Sequence, residues 1–530
     1  MDLVREHELR ERELGEPELR EREPGVPEAG EPELEEPEAR EPKLGEPEAR
    51  RPEARGPEAK GPSVGADTAP AADSTPTAET TPTASIPPAT DIPPAADIPP
   101  ADDPATHSPA LADLARRASA ADEGELPALL DAFWQDVEAR GGTPLVEPVD
   151  GDPRYRAVTF LWRGHRATRQ VLLLANRLYD REHLADALLT PLSGTDVWYR
   201  TLRLRADHRA SYRLVADLTP GDLPADPEAR QLRLRALAPH AAHDPLNPRR
   251  IGDRWGQPDS SVFALPDAPA QPWTERRAGI PRGRVERHRL PAGALGAERD
   301  VWTYLPPGGP RPDSPVVVLC DGDMWFGRLA LEDTLDALAA DRAVPPPVVL
   351  APDAVDRLTR WHDLTAHDDY VTFLADEALP WVAERLTLTL HSARTAVAGQ
   401  SLGGLTALYA ALRRPDRFGA VLAQSPSLWW RPGLPHGTPR LAPADETPWL
   451  AERFATDTPR PALRVHLDVG LHEGTMVDHS RCMYETLAAR GDLVSLREYN
   501  GGHDYACWRG GIAEGLVNLL GRAGARRPRV

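Results

Sequence analysis

Cysteine is scarce in this chain: 530 residues hold three, Cys320, Cys482 and Cys507. Three thiols cannot build a disulfide framework, and their spacing fits no zinc-ligand pattern. A reducing, cytoplasmic setting is therefore expected. No run of about eighteen apolar residues occurs, so a membrane-spanning helix is not expected. The first twenty residues, MDLVREHELRERELGEPELR, lack the apolar stretch of a secretory signal. Basic residues are not in excess either. Lys and Arg total 62 against 82 Asp and Glu, a net charge of −20, and without a broad basic stripe no nucleic-acid partner is expected.

The acidity is unevenly spread. Residues 1–125 carry about 31 acidic and about 13 basic side chains, so the remaining four hundred are near neutral and the net charge says little about a substrate. Residues 1–60 repeat an approximate GEPEAR unit, and residues 61–108 repeat IPPATD, IPPAAD and IPPADD. Proline at this frequency forbids continuous helix, and almost no aromatic or β-branched surface is present to offset chain entropy. The expectation is a disordered tail over 1–108, with a passive tail favoured over an extended binding arm or spacer.

Beyond the tail the periodicity becomes informative. LADLARRASA and ELPALLDAFWQDVEARG read as amphipathic helices. YRAVTFLWRG, QVLLLANRL, DVWYRTLRLRAD and ASYRLVADLTP then alternate with period two between Gly, Asp and Pro, which predicts an antiparallel β-sandwich. A Pro-rich connector, SSVFALPDAPAQPW, closes this region, taken as 109–273. From 274 to 524 a hairpin over 284–306 is followed by short apolar runs alternating with helical stretches: SPVVVLC, PPVVLAPD, RTAVAGQ, AVLAQS, LRVHLDVG and VSLREYN are the strands. Strands apolar throughout are expected when helices cover both faces, so this is a doubly wound α/β domain with a mainly parallel sheet. Residues 525–530 are expected to be a flexible end.

The strongest chemical signal is Gly399-Gln400-Ser401-Leu402-Gly403. A strand runs into it and a helix-forming stretch runs out, the setting in which a strained turn lifts a serine hydroxyl above a sheet edge. A serine needs a base, and in this arrangement the base is a histidine after the last strand. His503, in the loop Asn500-Gly501-Gly502-His503-Asp504 after VSLREYN, meets that requirement. The acid is expected after the preceding strand: Glu473 is preferred because it lies beyond the strand end, with Asp468, inside the strand, as the alternative. The oxyanion donors expected are the amides of Leu402 and of Asp323, in the loop after VVVLC, where Gly322 permits a turn. His362, His367 and Asp369 form no expected metal site, because a five-residue spacing does not align two histidines on one helix face.

AGQSLGGLTALYA, GGHDYACWRGG and APDAVDRLTRWHDL, with DPLNP and the connector, together resemble the enterochelin (enterobactin) esterases over about residues 130–522. The resemblance implies an α/β-hydrolase fold behind a smaller sandwich domain that helps enclose the substrate. It also implies a cytoplasmic serine esterase that opens the trilactone of ferric catecholate siderophores. It implies a substrate-binding Arg360. A ferric tris-catecholate is a bulky trianion with aromatic faces, so Arg509 and the tryptophans Trp325, Trp429, Trp430 and Trp508 join the candidates. No cofactor is expected: iron arrives with its ligand. A carboxylesterase or acyltransferase on a feruloyl or acetyl ester, and a catalytically silent siderophore-binding relative, remain as alternatives, and the oligomeric state is not readable.

Overall fold

The computed structural model describes residues 108–435, 446–456 and 461–521, all within one compact unit, Pro87–Val530. The expected tail, apart from Ser108, and the expected flexible end over 525–530 lie outside the described residues. Ser108 is already buried and ordered. It accepts from the Leu111 amide at the start of the helix Pro109–Ala120 and donates to Glu147 at 2.6 Å.

Eight strands form the sandwich: β1 (Leu145–Pro148), β2 (Tyr155–Arg163), β3 (Gln170–Ala175), β4 (Thr190–Pro191), β5 (Val197–Arg205), β6 (Arg209–Asp217), β7 (Arg250–Ile251) and β8 (Ser260–Ala264). They make two antiparallel sheets, ordered β1-β2-β5-β4 and β3-β6-β8-β7. Val158, Phe160, Leu202 and Leu204 from one sheet meet Val171, Leu173, Tyr212 and Phe263 from the other. The outer faces are not solvated, as simple alternation would have it. Leu161, Val197 and Tyr199 pack beneath the helices Pro109–Ala120 and Leu126–Ala139, and Leu172 and Val215 pack against Leu234 of the helix Pro227–Leu237. Each sheet is thus covered on both sides, which explains why β2 and β3 carry apolar residues at consecutive positions.

The second half builds one eight-stranded sheet from β9 (Arg284–Ala292), β10 (Ala297–Leu305), β11 (Val316–Leu319), β12 (Val348–Pro352), β13 (Thr395–Gln400), β14 (Ala420–Gln424), β15 (Arg464–Gly470) and β16 (Leu493–Tyr499). The order is β16-β15-β14-β13-β11-β12-β10-β9, parallel from β16 to β12, with the β9–β10 hairpin added antiparallel. Two large apolar cores cover its two faces. This is the α/β-hydrolase arrangement that the periodicity and the resemblance predicted. The carboxyl ends of β11, β13, β14, β15 and β16 share one edge, where side chains from several loops can converge. No helix among the described residues is long and apolar enough to cross a membrane.

Candidate active site

Ser401 joins the end of β13 to the helix Leu402–Arg413 with φ 58° and ψ −121°. Few non-glycine residues occupy that region, and such strain persists only where the surroundings enforce it. The enforcement is visible: a Cβ on Gly399 would stand 2.3 Å from the backbone carbon of Gly403. Ser401 donates its amide to Gln424 O at 3.0 Å, and its own carbonyl accepts from the Ser427 amide at 3.0 Å. Its hydroxyl lies 3.2 Å from the Ser427 hydroxyl.

Two parallel strands away, the loop after β15 carries Glu473, and the loop after β16 carries His503. The structure brings these two together, with Nδ1 of His503 2.6 Å from Glu473 Oε2. The other carboxylate oxygen accepts from the Ser425 hydroxyl at 2.6 Å and from the Gly470 amide at 2.7 Å. Burial opposes ionisation of Glu473, yet the imidazole and these two donors outweigh it and hold the carboxyl below its ordinary value. An ionised carboxylate only accepts, so Nδ1 donates and Nε2 keeps its lone pair for a proton. Trp508 fixes the ring from the side: it meets His503 edge-to-face at 4.7 Å and donates its indole N–H to Ser425 at 3.0 Å.

Asp468, the alternative acid, goes elsewhere. It sits inside β15 opposite Arg497 of β16 and accepts from that guanidinium at 2.7 and 3.0 Å. Burial opposes its ionisation, but Arg497 and His466 hold it far below the carboxylate range. The register of β15 against β16 decides between the two acids.

Leu402 opens its helix, so its amide has no partner within that helix. Asp323 lies in a single helical turn, Gly322–Trp325, directly after β11. The turn is made differently from expectation. The left-handed residue is Asp321, at φ 66°, whereas Gly322 is required because a Cβ there would stand 2.2 Å from the Ala351 carbonyl oxygen.

Asp321 is the centre of a buried charge cluster that the sequence reading did not find. Arg360 grips its two oxygens at 2.7 Å each, and Arg254, from the far end of the sandwich region, reaches Oδ1 at 3.0 Å. Burial opposes its ionisation, yet the two guanidiniums hold Asp321 well below its usual range. Arg254 also donates to the Tyr505 hydroxyl. Beside this cluster Trp255 is 38% exposed, with the Arg254 and Arg357 guanidiniums 5.1 and 5.7 Å from its rings. Trp255 and Val355, both bulky, adopt left-handed backbone at φ 56° and 65°.

Several predicted substrate contacts need correction. Trp325 is 1% exposed and donates to Gln400 Oε1 at 2.8 Å, so it props the strand that leads into Ser401 from within the core. Trp508 is buried as a support for His503 and Ser425. Arg509 is largely enclosed and donates to the Thr274 carbonyl of the connector at 3.0 Å. Trp430 packs edge-to-face on Trp449, and Trp429 lies against Trp361. Arg360 is nearly buried and already bonded to Asp321. His362 and His367, expected to point apart, have ring centroids 4.2 Å apart. His362 is in the last turn of the helix Arg357–Leu364, His367 lies beyond its end, and Ala366 turns the chain between them at φ 54°. No group of three metal-ligating side chains occurs among the described residues.

Comparison with known proteins adds an independent line. The family model described as "Enterochelin esterase, N-terminal" matches residues 157–274, and an esterase family model matches residues 292–519. An iron(III) salmochelin esterase of Escherichia coli O6:H1 is 34% identical over 418 residues, covering 78% of this chain and 98% of the relative. An iron(III) enterobactin esterase of Dickeya dadantii is 34% identical over 414 residues, 74% of this chain and 93% of the relative. A crystal structure of an enterobactin esterase from Shigella flexneri, obtained in the presence of enterobactin, superposes with a TM-score of 0.61. It is 30% identical and covers 73% of this chain and 97% of that one.

Proposed function

Because the chain belongs to the enterobactin esterase family, we propose that it opens the ester bonds of a ferric catecholate trilactone in the cytoplasm, with Ser401 as nucleophile, His503 as base and Glu473 as the orienting acid. The chain is a carboxylic ester hydrolase. The single observation that carries the residue assignment is the 2.6 Å contact between His503 Nδ1 and the buried Glu473 carboxylate, at the same sheet edge as the strained Ser401.

The chemistry follows from those groups. Ser401 Oγ attacks a lactone carbonyl as Nε2 of His503 takes its proton. Charge develops on the carbonyl oxygen, where the amides of Leu402 and Asp323 are the proposed donors. The intermediate collapses, His503 returns the proton to the leaving hydroxyl, and an acyl-enzyme remains. Water, activated by the same imidazole, then releases the linear trimer, and repetition yields dimer and monomer. Iron is cargo carried by the ligand, and the reaction runs on side chains and water. Two guanidiniums, Arg254 and Arg360, around the one carboxylate of Asp321 leave the cluster a net positive charge that favours a trianionic substrate without direct contact, and the exposed face of Trp255 beside it suits stacking with a catechol ring.

The test is incubation of the pure protein with ferric enterobactin and with nitrophenyl esters, with products identified by mass spectrometry. Sequential trimer, dimer and monomer are expected from wild type and none from Ser401→Ala. Turnover of small esters with an intact trilactone, or hydrolysis by Ser401→Ala, would overturn the proposal.

A further inference from the structure

The loop that carries the proposed base, residues 500–504, is held by the sandwich as well as by its own domain, where Gly501, Gly502 and Asp504 bond to His472, Tyr499 and the helix that follows. The Asn500 carbonyl accepts from the Arg209 amide at 3.2 Å. The Asn500 side chain accepts from His208 Nδ1 at 3.0 Å and from His472 Nε2 at 2.8 Å, and donates to Asp207 at 2.6 Å. Asn176, just past β3, donates to the His503 carbonyl at 2.9 Å. The Asp504 carboxylate accepts from the Ser211 amide of β6 at 2.5 Å. A Cβ on Gly502 would lie 2.5 Å from Asn176 Oδ1, so the two segments are in direct contact.

Two details make this more than a domain interface. Asn500 Oδ1 receives two imidazoles, one from the sandwich and one from His472, the neighbour of Glu473. A single side chain therefore ties the acid loop, the base loop and the sandwich together. Both imidazoles must donate to that oxygen, and burial favours the neutral ring in each, pulling His208 down to about 4. Asn500 is itself buried, so it has no solvent alternative.

We propose that Asn176 and His208 are positioning residues for catalysis: the sandwich sets the place of His503, in addition to any part it takes in enclosing substrate. This rests on His503 being the base. Displacement of a catalytic group by about 1 Å costs on the order of a hundred-fold in rate, so loss of these contacts is expected to act on the chemical step.

The experiment uses the full chain and two readouts. One is kcat and KM on ferric enterobactin. The other is the rate at which a small fluorophosphonate labels Ser401, forming the Oγ–P bond with loss of fluoride, a reaction too small to need the sandwich for binding. Asn176→Ala and His208→Leu are expected to lower kcat and the labelling rate together, by roughly ten-fold or more, with KM little changed. His208→Asn, whose amide nitrogen falls near the lost Nδ1, is expected to restore most of the rate. Leu234→Ala, which loosens the opposite face of the same sheet, is expected to leave the labelling rate unchanged. Wild-type labelling by Asn176→Ala, or equal loss in Leu234→Ala, would overturn the proposal. Should His208→Leu fail to fold, Asn176→Ala alone carries the test. Absence of labelling in wild type would instead refute the Ser401 assignment.

Discussion

Replacing Glu473 with Gln tests the triad with the least disturbance to packing. The carboxylate has two distinct ends. Oε1 takes the Ser425 hydroxyl and the Gly470 amide, and Oε2 takes His503 Nδ1. In Glu473→Gln the amide oxygen must stay at the first end, because the Gly470 N–H can only donate. The NH2 group then faces His503 and donates to Nδ1, which forces the ring proton onto Nε2. The nitrogen that should accept the Ser401 proton becomes a donor, and the base is lost although the shape is kept. A wrong-tautomer substitution in a serine triad lowers kcat about 10⁴-fold, which corresponds to about 5.4 kcal/mol of transition-state stabilisation. Steady-state hydrolysis of ferric enterobactin, followed by product chromatography, measures it, and a thermal melt checks that the fold persists. Retention of kcat within about ten-fold of wild type would refute the tautomer argument and with it the assignment of Glu473.

Two other perturbations probe the charge cluster and the exposed aromatic face. Asp321→Asn leaves Arg254 and Arg360 buried without their shared anion, and a loss of about 3–5 kcal/mol is expected in urea unfolding at neutral pH. Because Asp321 has a depressed pKa in the folded state, its contribution is complete above the unfolded value of 3.8 and fades as pH falls through the folded one. Wild type should therefore lose stability below about pH 4 more steeply than the variant, and parallel pH profiles would contradict this. Trp255→Ala should raise KM for ferric enterobactin roughly two- to twelve-fold, the range of an aromatic–aromatic contact, with fluorophosphonate labelling unchanged. An unaltered KM would remove Trp255 from the substrate surface.

Legibility in the sequence followed the range of the interaction. The elbow was readable because a strand, a glycine-bracketed serine and a helix are contiguous, and the backbone conflict between Gly399 and Gly403 is local. The alternation of apolar runs and helical stretches gave the parallel sheet for the same reason. The choice between Glu473 and Asp468 was only a preference, because both lie within five residues of each other near the end of one strand. It turned on Asp468 standing opposite Arg497. The tryptophans misled, since an indole looks the same in a sequence whether it lines a cleft or fills a core. Trp325 and Trp508 are fixed by single hydrogen bonds to Gln400 and Ser425 that no periodicity predicts.

What the sequence alone determined is therefore the class of fold and the candidates proposed as nucleophile and base, which depend on short stretches whose geometry is set by neighbouring residues. Tertiary structure alone decided which carboxylate faces the imidazole, that Arg254 shares with Arg360 an Asp321 that lies 67 positions further along the chain, and that Asn176 meets a histidine loop 327 residues later. The physical reason is that such contacts arise only when strands distant in sequence come into register and the sandwich packs against the larger sheet, and their partners leave no trace in local composition or spacing.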